Sequence, residues 1–292
     1  MSVQNRIDRS TATTPIAFGE SARVAFAAAY PDQSTKLTHQ LAGHPLFSRE
    51  ALALLAERMP ERQVEYNLGN LPLGVRPEDT PANGLTLSET VRTIDTNGSW
   101  VVLKNVECDP EYAAMLDAAL AELLPIVERR TGPMLHREAF IFLSSPDSVT
   151  PFHIDPEHNI LLQIEGEKTM TVFPAGDPAL VPAQQSEGFH AGGHRNLAWD
   201  AAFVAKGHAV KLLAGDAIHV PVKAPHFVNN GSTVSVSFSI TWRSLRSIAE
   251  GELHSLNAIL RRRGLPTITV ASKPEAQGFH RLLYRIIRKL GV

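Results

Sequence analysis

The sequence predicts a mainly β protein with helical additions. Short apolar runs separated by Gly, Pro and Asn follow one another from Ala139 to Trp242, a spacing typical of a sandwich or barrel. Helical patterns flank this segment, and a 292-residue chain with 43% hydrophobic residues can fill a sizeable core. We therefore expect a β core at 139–243, a mainly helical N-terminal region at 1–138 packed on it, and C-terminal helices at 244–292.

The N-terminal region carries clear element boundaries. The segment 48–60 begins with a Ser cap, ends at a Pro and has a helical apolar face, whereas the apolar run 100–106 is of strand type. Asp109 as N-cap and Pro110 at the first helical position open another helix. The Pro- and Gly-rich segment 69–84 is predicted to be a loop.

The β core contains six strand-like runs, which read "AFIFLS", "NILLQI", "KTMTVFP", "HAVKLL", "AIHVPV" and "TVSVSFSITW". Between the third and fourth runs lies a long insertion, 175–207, which we expect to form a lid or rim loop over a barrel mouth. The last helix carries an apolar face made of Phe279, Leu282, Leu283, Ile286, Ile287 and Leu290. We expect this face to dock on the barrel or on a second copy of the chain, which makes a homodimer the expected assembly.

The amino-acid composition indicates which binding partners and which cellular compartment to expect. The chain has 28 Lys and Arg against 30 Asp and Glu, so we expect neither nucleic acid nor an anionic membrane as a partner. The single cysteine, Cys108, leaves no internal disulfide and no Cys-based metal cluster, which favours the cytoplasm. The first 30 residues do not match a signal peptide, and no apolar run is long enough to span a membrane.

Three side chains predict a metal centre. His153 and Asp155 alternate in a strand-like run, so both can face one centre. The segment after the Gly215-Asp216 turn adds His226, which can lie antiparallel to the first strand. Two His and one carboxylate form the facial triad, which suits Fe(II) and leaves three coordination positions open.

Other interpretations of these residues are available from the sequence. A lone His-x-Asp is also an ordinary hydrogen-bonded pair on a strand, and Lys168 is equally well a solvent-facing charge. His219 competes with His226 for the third ligand position. The remaining candidates are loop or surface histidines, namely His158, His190 and His194.

The spacing of two segments resembles a known family. The residues that match in order are Thr150, His153, Asp155, Asn159, Gln163, Ile164, Gly166, Lys168, Phe173 and Pro174, followed by Gly215, Asp216, Pro221 and His226. They resemble the JmjC group of cupin-fold, 2-oxoglutarate-dependent oxygenases, and most closely the asparaginyl hydroxylase that inhibits the hypoxia-inducible factor. The resemblance covers most of the segment from Ala139 to Trp242.

The resemblance implies a fold, a reaction and roles for residues. The β core would be a double-stranded β-helix, or jelly-roll, and Fe(II) would sit on His153, Asp155 and His226. Lys168 and Thr150 would hold the distal carboxylate of 2-oxoglutarate, with Asn159 near the cosubstrate or the iron. With O2 as the second cosubstrate, the reaction would hydroxylate a peptide side chain or a small molecule, and in that family the C-terminal helix pair forms a dimer.

The sequence departs from the family at two places. Lys223, Ala224 and Pro225 stand where the family usually has aromatic residues before the distal histidine, so we expect a different substrate side. The family's later asparagine has no clear match, and Ser235, Ser237 or Ser239 lies at about that place. Two competing functions are a metal cupin that does not use 2-oxoglutarate and a non-catalytic module that senses a metabolite or holds a partner.

Overall fold

The computed structural model describes residues 17–76 and 79–291. The segment 1–16, which includes most of the region where we expect no signal peptide, lies outside the described residues, as do two residues of the predicted loop 69–84. The α-helices are α1 (Glu20–Ala29), α2 (Arg49–Arg58), α3 (Leu87–Arg92), α4 (Pro110–Thr131), α5 (Ala183–His190), α6 (Leu245–Arg262) and α7 (Gly278–Lys289).

Within the described residues, eleven strands form two antiparallel sheets. They are β1 (Thr35–Thr38), β2 (Val64–Leu68), β3 (Ser99–Lys104), β4 (Leu135–Ser144), β5 (Val149–His153), β6 (His158–Glu165), β7 (Glu167–Val172), β8 (His208–Leu213), β9 (Asp216–Val220), β10 (His226–Asn230) and β11 (Ser235–Arg243). The large sheet has the order β1-β9-β6-β11-β4-β3-β2, and the small sheet has the order β5-β10-β7-β8. The core strands from β4 to β11 alternate between the two sheets except at β7 and β8, which are neighbours in the small sheet. This is the jelly-roll arrangement, so the predicted fold class is confirmed.

The two faces of the large sheet pack against different layers. Along β11, Val236, Phe238, Ile240 and Trp242 alternate with polar residues and pack against α1 to α4 in the main hydrophobic core. The opposite face of this sheet meets the small sheet through a second apolar cluster that includes Leu161, Ile218, Met170 and Val228. Side chains that point between the two sheets therefore lie inside the barrel.

The N-terminal region contributes strands to the large sheet, in addition to the helices that its sequence predicts. It supplies α1 to α4, but β1 pairs with β9 at one edge of the large sheet, and β3 pairs with β4. β2 then pairs with β3 at the other edge. β4 begins at Leu135, before the predicted boundary at residue 139. The hydrogen-bonded sheet therefore runs without a break from the N-terminal region into the core.

The insertion 175–207 is only partly the lid that we expected. Its Leu180, Leu197, Trp199 and Phe203 pack on the outer face of the small sheet in a third apolar cluster. That cluster shields the outer face of β5 and β10 from water. A shorter part of the insertion, residues 189–196, reaches the cavity between the sheets.

The C-terminal helices differ sharply in burial. α6 buries half of its residues, whereas α7 buries none of its described residues. The expectation that the apolar face of α7 docks on the barrel is wrong, because Phe279 is 74% exposed and Leu290 is 72% exposed. α7 is held instead on its polar side, where Arg281 and Arg285 pair with Glu252 of α6. Among the described helices, none has the length and hydropathy needed to cross a membrane.

Candidate metal centre and its cavity

The pairing of β5 with β10 places two histidines side by side. His226 stands directly opposite His153 in the antiparallel register, and their ring centroids are 4.1 Å apart. Asp155 completes the group, since its Oδ2 lies 3.7 Å from Nε2 of His153 and 3.6 Å from Nε2 of His226. The three ligand atoms lie within 4.8 Å of one another, so the predicted triad converges on one point.

Backbone carbonyls fix the orientation of both imidazole rings. Nδ1 of His153 lies 2.7 Å from the Pro151 carbonyl oxygen, and Nδ1 of His226 lies 2.9 Å from the Ala224 carbonyl oxygen. A carbonyl can only accept, so each Nδ1 must carry the proton and donate it. Each Nε2 then presents a lone pair toward Asp155, which is the state that a metal ligand requires.

Asp155 reaches the site from beyond the strand rather than from within it. β5 ends at His153, and the next residues leave the regular ladder. Two backbone hydrogen bonds hold this exit: Ile154 N donates to the Arg195 carbonyl at 3.2 Å, and Lys223 N donates to the Asp155 carbonyl at 2.8 Å. His153 and Asp155 therefore lie close together, but Asp155 depends on neighbouring loops rather than on strand alternation for its position.

The electrostatics of the site favour ligand-competent forms at neutral pH. Burial, reinforced by the neighbouring His226, lowers the pKa of His153 to about 3, so its ring is neutral. Burial is the largest influence on Asp155 and would raise its pKa, but the Arg195 guanidinium together with His153 and His226 outweighs burial and keeps the pKa below its usual value. A neutral imidazole beside an ionised carboxylate can bind a cation without first losing a proton.

The other histidines are accounted for by different contacts. His219, the competitor for the third ligand, is fully buried against Phe26 and Tyr30, with Nδ1 3.0 Å from the Gln33 carbonyl oxygen. It points into the main core, away from the triad. His158 stacks on Trp242, and His190 stacks on His254 of α6, whereas His194 lines the same cavity as the triad.

The triad opens into a cavity of about 380 Å³ between the two sheets. Its apolar lining is formed by Leu71, Trp100, Val102, Phe140, Phe142, Leu161, Met170, Phe189 and Val228. Polar groups share the lining, among them Thr150, Asn159 and Lys168 as well as Glu65, Lys104, His194 and Asn196. A chamber that combines apolar walls with converging polar groups is typical of a small-ligand site.

Lys168 is buried inside the cavity rather than facing solvent. It stands on the inward-facing side of β7, is only 4% exposed, and has no hydrogen-bond or ion-pair partner among residues 17–76 and 79–291. Burial lowers its pKa to about 7 from 10.5. Gly166 directs the chain to this position: its φ is 70°, and a Cβ there would collide with the Val234 carbonyl oxygen as the chain crosses between sheets.

The other predicted cosubstrate residues lie in the same cavity. Thr150 is on β5, next to Val228 of β10, and faces the chamber. Asn159 is 7% exposed, and its Oδ1 accepts a hydrogen bond of 2.7 Å from Ser239. Ser239 therefore holds Asn159 from the neighbouring strand, while Ser235 and Ser237 bond to the side chain of Gln163. The serines at the place of the family's later asparagine are thus satisfied within the protein.

The residues before His226 turn away from the cavity. Lys223 adopts a φ of 57° and sends its ammonium to Glu250 at 2.7 Å and to His254 at 3.0 Å, both on α6. Lys223, which departs from the family pattern, therefore links the loop before His226 to α6 through these two contacts. It does not place a cation in the substrate space.

Sequence reasoning missed two charged neighbours of the triad. Nη1 of Arg195 lies 2.8 Å from Oδ1 of Asp155, and Glu157 pairs with Arg243 at 2.6 Å. Burial and the nearby Asp155 raise the pKa of Glu157 to about 7. Arg195 belongs to the irregular insertion, so no periodicity in the sequence marked it.

The donor set fits a divalent first-row metal. Two neutral imidazoles and one carboxylate converge on a common point, with the rings already oriented by second contacts. The cavity on the open side supplies room for further ligands. Together the fold and this geometry define a jelly-roll protein with a facial-triad site.

Comparison with known protein families identifies the family of this chain. A family model described as a cupin-like domain matches residues 55–247, more than half of the chain. The protein therefore belongs to the cupin-like domain family. A search among curated proteins found no match.

Solved structures show the same fold. An X-ray structure of ycfD from E. coli is 17% identical with a TM-score of 0.51, and it covers 91% of this chain and 67% of that one. A structure of YcfD, described as a ribosomal oxygenase from Escherichia coli in complex with cobalt and 2-oxoglutarate, is also 17% identical, with a TM-score of 0.50, and covers 89% and 65%. The chain thus spans about two thirds of the length of these structures, and at this identity the likeness establishes the fold alone.

The unpaired buried Lys168 predicts a testable stability cost. Lys168→Met removes the cost of burying an ammonium and should raise the free energy of unfolding by roughly 2 kcal/mol. Because the folded chain releases this proton near pH 7 and the unfolded chain near 10.5, the gain should be complete below pH 7 and vanish toward pH 10.5.

Chemical denaturation of the metal-free protein at pH 6 and pH 10 measures this gain. Lys211→Met on the neighbouring strand β8 is the matched control, since that side chain is 61% exposed and should show no such gain. Equal stability of Lys168→Met and the parent at pH 6 would contradict the assignment of Lys168 as a buried, unpaired charge.

Proposed function

We propose that the protein is an Fe(II)- and 2-oxoglutarate-dependent oxygenase that hydroxylates a C–H bond of its substrate. The observation that carries this proposal is the presence, in one cavity, of a facial-triad geometry and a buried lysine without an anionic partner among the described residues. A metal site alone would not need that lysine. A buried ammonium is costly unless an anion meets it, and the distal carboxylate of 2-oxoglutarate is such an anion.

His153, Asp155 and His226 would hold the iron. When bound, iron supplies the redox chemistry that couples O2 and the decarboxylation of 2-oxoglutarate to hydroxylation, with succinate and carbon dioxide as the other products. The protein's part would be to hold the metal from one side, since the Pro151 and Ala224 carbonyls orient both imidazoles toward the same point.

Lys168 and Thr150 would bind the far carboxylate of 2-oxoglutarate. Val172 pairs with His226, and Lys168 stands four residues earlier on β7, which places it about 13 Å along the strand from the level of the triad. A long lysine side chain and a five-carbon diacid together can fill that interval. Asn159, held by Ser239, would face the cosubstrate from the opposite sheet.

The apolar side chains that line the cavity would also exclude water from the site. Trp100, Phe140, Phe142 and Leu161 form part of its lining and offer mainly apolar surface to that part of the cavity. Exclusion of water protects a reactive site from side reactions and strengthens the charge pairing at Lys168. These walls therefore serve cosubstrate binding as well as substrate selection.

The comparisons support the proposal through the fold. A structure of similar fold, the ribosomal oxygenase YcfD, is described in complex with cobalt and 2-oxoglutarate. The same two ligands suit the triad and Lys168 of this chain by their chemistry. For the substrate we propose a peptide side chain or a small molecule, since the nearly balanced charges favour neither a polyanion nor a membrane surface.

Anaerobic titration tests the metal and cosubstrate roles together. Adding Fe(II) and then 2-oxoglutarate to the metal-free parent should produce the weak visible charge-transfer band of the chelate. His226→Ala should abolish the band because a ligand is lost, and Lys168→Met should weaken 2-oxoglutarate binding at least about tenfold because a buried charge pair is lost. Lys211→Met, an exposed lysine on the adjacent strand, should behave as the parent.

The alternatives appear as different results of the same titration. A parent that binds metal but gives no band with 2-oxoglutarate would contradict the oxygenase proposal and favour a metal cupin of other chemistry. A parent that binds no metal would favour a non-catalytic module.

We infer that α7 forms a homodimer contact. Five of the six predicted apolar-face residues are between 36% and 74% exposed, namely Phe279, Leu282, Leu283, Ile286 and Leu290, whereas Ile287 is half-buried. The opposite side of α7 is already fixed to α6 through Glu252. A helix held by its polar side with its apolar side bare fits a second copy of the same surface in a two-fold arrangement.

Sedimentation equilibrium tests the dimer. Leu282→Asp and Ile286→Asp should each convert a dimeric parent into a monomer, because a charge would be buried in an apolar interface. Arg288→Asp, a change on the polar side of the same helix, should leave the dimer intact. A parent that is monomeric at micromolar concentration, or that binds anionic vesicles through α7, would contradict this inference.

We propose that the protein works in a reducing compartment, namely the cytoplasm. Its single cysteine, Cys108, is exposed and free. One cysteine cannot form an intrachain disulfide, so the fold is independent of an oxidising environment.

A further inference from the structure

Arg195 is the charged group in closest contact with the carboxylate of the triad. Its Nη1 donates to Oδ1 of Asp155 at 2.8 Å, while Oδ2 of the same carboxylate faces Nε2 of His153 and Nε2 of His226. The two oxygens of Asp155 are therefore committed to different tasks. One is held by the protein, and the other is directed to the point where the two imidazoles meet.

The backbone around Arg195 is fastened to the strand that carries His153. Ile154 N donates to the Arg195 carbonyl at 3.2 Å, and Leu197 N donates to the Phe152 carbonyl at 2.8 Å. Asn196 forms an isolated antiparallel bridge with His153, and its side chain bonds to the Val75 carbonyl at 2.9 Å. Although the Arg195 side chain is 53% exposed, its Cα position is set by these contacts.

The insertion that contains Arg195 is in turn anchored to α6. Glu187 of α5 is 2% exposed and forms two hydrogen bonds, of 2.6 and 3.0 Å, with the guanidinium of Arg261. Ser255 donates to the His190 carbonyl, and the His190 ring packs against Gly251, where a Cβ would lie 3.1 Å away. This docking leaves Arg195 little freedom to leave the metal-site loop.

We propose that Arg195 is a positioning residue that limits Asp155 to one oxygen as a metal ligand. The inference rests on the proposed function. A carboxylate free to rotate could bind the metal through both oxygens and would then occupy one of the three positions left open by the triad. Because 2-oxoglutarate needs two of these positions and O2 the third, a bidentate Asp155 would compete with the cosubstrate.

Because Arg195 is positively charged, its role in orienting Asp155 can be distinguished from a direct contribution to metal affinity. A guanidinium near a divalent cation repels it, so removal of the charge should not weaken metal affinity. Removal of the hydrogen bond to Oδ1 should weaken cosubstrate chelation. The two effects have different directions, whereas loss of a merely structural contact would weaken both.

Equilibrium titrations of Arg195→Gln with Co(II) and then 2-oxoglutarate test the proposal. We expect Co(II) to bind at least as tightly as to the parent, and 2-oxoglutarate to bind the Co(II)-loaded variant about five- to tenfold more weakly. The visible spectrum of the Co(II) protein should differ from that of the parent before 2-oxoglutarate is added, since the coordination of the carboxylate changes.

The matched control is Lys206→Gln, which removes an exposed ion pair with Asp177 from the same insertion. It should leave both affinities and the Co(II) spectrum as in the parent. Thermal unfolding of both Co(II)-loaded variants should remain within about 2 °C of the loaded parent, because the bound cation pairs with Asp155 and neither change removes buried apolar surface.

Three results would overturn the inference. An unchanged 2-oxoglutarate affinity and spectrum in Arg195→Gln would show that Asp155 needs no orienting partner. A joint loss of Co(II) affinity and thermal stability would show a structural role only. A parent that binds Co(II) but no 2-oxoglutarate would remove the proposed function itself, and this arm distinguishes that failure from a failure of the Arg195 proposal.

Discussion

The antiparallel register between β5 and β10 is the constraint on which the site depends. It puts His153 opposite His226, and the hydrogen bonds of the ladder leave neither residue free to slide. A shift of one residue would turn one imidazole to the outer face of the small sheet, where the aromatic cluster of the insertion packs. Because β10 also pairs with β7, the same register fixes the level of Lys168 relative to the two histidines.

A second constraint is the commitment of buried polar groups before any ligand binds. The Nδ1 atoms of both histidines, Oδ1 of Asp155 and Oδ1 of Asn159 all have partners within the protein. Among the atoms that remain available are the two Nε2 atoms, Oδ2 of Asp155 and the ammonium of Lys168. The protein thus uses its own hydrogen bonds to orient these side chains and leaves a cation-binding end and an anion-binding end in one chamber.

The sequence predicted the parts of this arrangement that repeat with a period. The alternating runs became β4, β6 and β11, and the capped helix beginning at Pro110 became α4. β1 and β2 escaped sequence analysis because they are short edge strands with little apolar alternation, which only pairing with the barrel stabilises. The triad followed from spacing, whereas the burial of Lys168 depends on the crossing at Gly166 that carries the chain between sheets.

Contacts formed by irregular segments could not be predicted in this way. Arg195 meets Asp155 only because α5 docks on α6 and the chain then returns along β5. The contact from Lys223 to Glu250 likewise joins a loop to a helix that follows later in the chain. In both cases the partner is chosen by tertiary packing, for which the local sequence carries no periodic signal.

A crystal structure of the anaerobic complex with Mn(II) and 2-oxoglutarate would show whether the triad and Lys168 hold the two ligands together. We expect an anomalous-scattering peak at about 2.0–2.3 Å from Nε2 of His153, Nε2 of His226 and Oδ2 of Asp155. We also expect the distal carboxylate of 2-oxoglutarate within hydrogen-bond distance of Nζ of Lys168. A metal bound outside the triad, or a distal carboxylate that leaves Lys168 unpaired, would show that these residues do not form the proposed site.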